Sequence, residues 1–121
     1  MELRWSPETR IADLRFSADT KLDGKYGGVL VDALRGWIGS TATPFALFAD
    51  AKGVVSTDAA YRAVTREFFG EHRDTARIAL INLHPVIRVI AEMFRVAARL
   101  HLKTFPDELA ARAWLKAQGL A

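Results

Sequence analysis

The sequence predicts an α/β fold, a mainly parallel sheet of about five strands with an antiparallel N-terminal strand pair and about four helices. Three observations carry this. Phe45–Ala49 and Ile78–Ile81 are short unbroken apolar runs, the pattern of strands buried on both faces. The stretches between them repeat apolar residues at three and four positions, which is the helical period. The first sixteen residues instead alternate apolar and polar, as strands with one wet face do.

Each element follows in turn. Leu3 and Trp5 alternate with polar neighbours, and after Ser6-Pro7-Glu8 so do Ala12, Leu14 and Phe16. These make the antiparallel opening. From Leu22 to Ile38, a helix buries Leu22, Tyr26, Val29, Leu30, Ala33, Leu34 and Trp37. Its weak points are Gly24, Gly27 and Gly28, each costing up to about 1 kcal/mol against alanine, so its first turns are expected to be loose or closely packed. Gly39 to Pro44 breaks the chain before the first buried strand, which ends at Asp50.

Ser56, Thr57 or Asp58 can cap the next helix, in which Ala60, Tyr61, Val64 and Phe68 form the stripe and Gly70 the stop. After the second buried strand, Pro85 suits the first position of a helix running to about His101. Arg88, Glu92, Arg95 and Arg99 share one narrow exposed edge there, with Ile87, Ile90, Met93, Phe94 and Ala97 filling the rest. A strand over Leu102–Phe105 and a helix from Asp107 to about Gln118, packed through Leu109, Ala113 and Trp114, close the chain. Helices alternating with buried strands imply right-handed crossovers.

Composition bounds the function. At 121 residues, one domain with its own core is expected. With no cysteine, disulfides, thiolate metal sites and cysteine nucleophiles are excluded. The N-terminus lacks the pattern of a secretory signal and no window reaches the roughly 18 to 20 apolar residues of a membrane span, so a cytoplasmic location and no transmembrane segment are expected. Seventeen basic and fourteen acidic residues leave a net charge of +3. They are interleaved rather than run together, which argues against nucleic-acid binding.

The order of elements and two particular stretches resemble the STAS domain, the fold of bacterial anti-sigma-factor antagonists. The first stretch runs from the strand Phe45–Asp50 through Lys52-Gly53-Val54-Val55 into Ser56-Thr57-Asp58. The second, Lys103 to Leu115, is similar to the closing strand and helix of the STAS/SEC14-like branch. The likeness covers Pro44 to Gln118. It implies a non-enzymatic regulatory or protein-interaction module whose partner is another protein. In the antagonists the loop entering this helix carries a phosphorylated serine, usually within Asp-Ser-Ser-Gly, and here Ser56-Thr57-Asp58-Ala59 stands in its place without the glycine. The SEC14-like side of the resemblance implies an apolar ligand or lipid at a membrane surface.

The candidate recognition or phosphoacceptor loop is therefore Asp50, Ser56, Thr57 and Asp58. A phosphate at a helix N-terminus meets free amides and the positive end of the dipole, and hydroxyl residues are equally ordinary caps. The candidate interaction face is the helix beside it, with Arg62, Arg66 and Phe69 outward, since arginine and aromatics anchor interfaces. His84 belongs at the same sheet edge as Asp50, either as a helix cap or as a base or metal ligand. His72, His84 and His101 are too far apart in sequence to suggest a metal site, and no Gly-x-Ser-x-Gly elbow, P-loop or dinucleotide fingerprint is present. Neither a cofactor nor catalysis is expected, because no nucleophile, base and charge stabiliser assemble from these residues.

Overall fold

The computed structural model describes residues 1–39 and 42–120; residues 40 and 41, within the expected break from Gly39 to Pro44, lie outside them. The elements are β1 (Glu2–Ser6), β2 (Ile11–Arg15), β3 (Thr20–Leu22), α1 (Gly24–Ile38), β4 (Phe45–Asp50), β5 (Val54–Thr57), α2 (Ala59–Glu71), β6 (Ala76–Ile81), α3 (Pro85–Ala98), β7 (Leu102–Phe105) and α4 (Glu108–Ala117). Five strands form one sheet in the order β1-β2-β4-β6-β7. β1 pairs antiparallel with β2, and the other pairings are parallel. The two apolar runs lie side by side, with Leu47 opposite Ile78 and Asp50 opposite Ile81.

Strand alternation divides the core. Ala12, Leu14, Phe45, Leu47, Ala49, Ala76 and Ile78 meet α1, α2 and α3 on one face of the sheet. Ile11, Ala46, Phe48, Ala79 and Ile81 meet Ala111 and Leu115 of α4 on the other. Successive crossovers of one hand, each moving to the next strand, place the first three helices together.

Two strands were not legible in advance. β3 and β5 pair in parallel as a separate ribbon, held by a tight approach at Gly53. Its φ is +95°, and a Cβ there would lie 2.4 Å from the Ser17 carbonyl oxygen, so no other residue fits without strain. Thr20, buried in this ribbon, donates from Oγ1 to the Ser17 carbonyl.

Helix boundaries follow their caps. Asp23, Asp58 and Asp107 each accept a hydrogen bond from the amide three residues on. α1 thus starts at Gly24 rather than Leu22, and its first turn packs closely on α2, with a Cβ at Gly24 3.0 Å from Ala60 Cβ. α2 continues through Gly70 to Glu71. α3 stops at Ala98, short of His101, because Arg99 takes a left-handed conformation.

Two apolar stripes differ from expectation. In α1, Val29 is exposed and Val31 and Ile38 are buried instead. In α4, Leu109 is 82% exposed and Ala113 is also outside, while Ala111 and Leu115 are buried. Glu108 pairs with Arg15, and Arg112 with Asp13. Residues 108, 111, 112 and 115 recur on one helix face, and these ion pairs turn that face to the sheet.

Candidate functional site

Asp50 and His84 do share the edge at the carboxyl ends of the parallel strands, where α/β sheets commonly place ligands. With Arg15, Lys52 and Asn82 they line an open cleft. Asp50 Oδ1 accepts from the Lys52 amide and from Asn82 Nδ2, both at 3.0 Å, and Oδ2 lies 3.6 Å from Arg15 Nη1. Arg15 is also bound to Asp13 and Glu108; the Glu108 hydrogen bond, above all, pushes its pKa up despite desolvation. The edge acid is thus already satisfied inside the chain. His84 is the N-cap of α3, accepting at Nδ1 from the Val86 amide at 3.2 Å. That contact requires the proton on Nε2.

The loop residues separate. Asp58 alone caps α2, its Oδ1 accepting from the Tyr61 amide at 2.7 Å. Ser56 and Thr57 lie in β5, where they pair with Lys21 and Leu22. They are therefore not at the free amides of the helix, because the ribbon carries the chain in extended form up to residue 57. Thr57 accepts from Arg62 Nη1 at both its carbonyl and its hydroxyl oxygen.

The expected face of α2 is corrected at Phe69, which is 4% exposed rather than outward. α2 is the middle helix of its layer, packed between α1 and α3, so it buries a wide arc. Phe68 and Phe69 are both inside, edge to face with centroids 5.1 Å apart. Arg66 is exposed, and Arg62 is half-buried and committed to Thr57.

α3 is the correction of greatest consequence. Only Ile87 is buried along it. Met93, expected inside, is 67% exposed, and Val86, Val89 and Val96 are each about as open. Residues 86, 89, 93 and 96 follow a three-four-three spacing, which draws one ridge along a helix. Arg88, Glu92, Arg95 and Arg99 flank it, and Glu92 is taken by Arg95. The signal was present in the sequence as a surplus, since Ile87, Ile90 and Phe94 already supply one apolar face and the valines supply another.

α3 makes its main contacts with α2 and β5 and stands off the five-stranded sheet. Beneath it lies a cavity of about 120 Å³ walled by Leu47, Ile78, Leu80, Phe69, Ile87, Ile90 and Phe94 among others, with Thr57, Tyr61, Arg62 and Thr65 as its polar members. Burial pushes the Tyr61 phenol up to about 12. Among the described residues no group of His, Asp or Glu side chains could hold a metal, and no helix is long and apolar enough to cross a membrane. A scan of the chain against models of known protein families gives no match, and a search among curated proteins gives none either.

Proposed function

We propose that this chain is a non-enzymatic regulatory or protein-interaction module of the STAS type, and that it docks another protein on the outer ridge of α3. The observation that carries this is the ridge itself. Val86, Val89, Met93 and Val96 are exposed together beside the charged edge of Arg88, Glu92, Arg95 and Arg99, and an exposed apolar strip next to polar groups is a usual mark of a binding surface. The element order and the antiparallel opening of a mostly parallel sheet support the STAS part of the reading.

The flank defines the partner. Arg95 neutralises Glu92, while Arg88 and Arg99 make no side-chain bond within the described residues. A helix with an apolar stripe and acidic flanks complements this surface. A second copy would set Arg88 and Arg99 against the same unpaired cations, and like charges across a contact disfavour it. Self-association through α3 is accordingly not expected.

Co-purification from the native source, read by mass spectrometry, tests the reading against Val89→Glu and Met93→Glu. Both variants should lose the same partner protein, and Arg66→Glu on α2 should retain it. A partner set unchanged by both α3 variants overturns the surface. A concentration-dependent dimer in sedimentation, abolished by Val89→Glu, overturns the choice of partner.

A further inference from the structure

The space beneath α3 is a second feature, separate from its outer ridge. We infer that the cavity between α3, α2 and the sheet is a binding site for a small apolar molecule, one ring or a short alkyl chain, bearing a single hydrogen-bonding group that meets the Tyr61 hydroxyl.

The cavity is partly open to solvent. The cavity measures about 120 Å³, whereas one water needs only about 10–15 Å³. Room for several waters is present, but the lining itself offers them few polar partners, so an apolar guest displaces weakly held water. Leu14, Leu22, Leu30, Leu47, Ile78 and Leu102 offer no polar side-chain atom. Apolar cavities of about 150 Å³ take up ring-sized guests such as benzene. A guest regains the dispersion contacts that the lining otherwise forgoes.

The polar end sets the class more narrowly. Three of the four polar wall residues are already spent inside the chain. Thr65 donates from Oγ1 to the Tyr61 carbonyl at 2.9 Å, and Arg62 donates to the Thr57 carbonyl and hydroxyl. Tyr61 is different, because its hydroxyl makes no hydrogen bond among the described residues and remains accessible. The ring is held by close packing, lying 3.3 Å from where a Cβ at Gly27 would be. A phenol that lines the cavity with its hydroxyl unspent suits a ligand with one polar atom.

α3 is built to admit such a guest. Its underside, Ile87, Ile90, Ala91 and Phe94, lines the cavity. Residues with positive φ stand before and after it, Asn82 at 59° and Arg99 at 54°. The chain thus turns sharply on entering and on leaving the helix.

Titration of the whole chain with benzene and with phenol, followed by amide and methyl NMR shifts, tests the site. Both probes should shift the cavity residues, phenol binding more tightly. Tyr61→Phe should weaken phenol by roughly two- to tenfold, the effect of one hydrogen bond, and leave benzene unchanged. Ala91→Phe, which fills the space from α3, should abolish both while keeping a cooperative melt. Should Ala91→Phe not fold, Ala91→Leu serves the same purpose. Failure of wild-type chain to bind either probe overturns the site. So does a folded filling variant that still binds both. Equal phenol affinity in wild type and Tyr61→Phe overturns the polar contact and with it the ligand class.

Discussion

α1 and α3 cover the same face of one sheet in opposite ways. α1 buries Gly27, Leu30, Val31, Leu34 and Ile38 and approaches α2 so closely that a Cβ at Gly24 would lie 3.0 Å from Ala60 Cβ. α3 buries Ile87 alone, leaves four large apolar side chains outside and roofs a cavity. Burial of apolar area is the main source of stability, so the α1–α2 half holds the fold. The α3 half contributes less and keeps its apolar surface free for binding. Segments with few buried contacts are also those that open most easily.

The largest effect that could break this contrast lies on the α1–α2 side. Phe68 is fully buried against Phe45 and under Arg35, and Phe68→Ala should cost about 3–5 kcal/mol in denaturant unfolding. A loss under about 1 kcal/mol would mean that this half is no tighter than the other. Within α1 the glycines should diverge. Gly24→Val, facing Ala60 at 3.0 Å, should destabilise by about 1–3 kcal/mol through overpacking. Gly28→Ala, with nothing nearby, should instead gain up to about 1 kcal/mol.

A smaller effect is expected at high pH. The Tyr61 phenol has an ordinary value of 10.0, and burial raises it to about 12 in the folded chain. Below pH 10 it is neutral in both states, and its contribution to stability is fully present. Between pH 10 and about 12 the unfolded chain has released this proton and the folded chain still holds it, so stability falls as pH rises. Denaturation midpoints at pH 9.5 and 11.5 should drop more for wild type than for Tyr61→Phe. Equal drops would place the phenol in water. The smallest effect belongs to the ridge. Met93→Ala should change stability by no more than about 0.5 kcal/mol, and α3 amides should exchange faster than those of α1. A larger loss at Met93 would show that the ridge is covered within the chain itself.

Much of the layer order was legible in residues with little choice. Phe45–Ala49 and Ile78–Ile81 are apolar without interruption, and only interior strands accommodate that. Asp58, Asp107 and Pro85 mark helix starts through local chemistry that needs no distant partner. β3 and β5 were not legible because each is short and exists only through the other, with Gly53 fitting beneath Ser17. The candidate site was legible in part. Asp50 and His84 reach one edge because chain order fixes strand ends, but whether an acid there is free depends on Arg15 and Asn82, which come from other strands and loops.

By itself, then, the sequence determined where the helices and the strands of the main sheet lie and that this sheet is mostly parallel, since periodicity and caps act within a few residues. Tertiary structure decided which apolar residues are spent. Phe69 and Met93 both belong to apolar-rich helices, yet the central place of α2 buries one and the outlying stand of α3 exposes the other. The physical reason is that burial is a property of what a helix packs against. No window of sequence contains the neighbour that decides it.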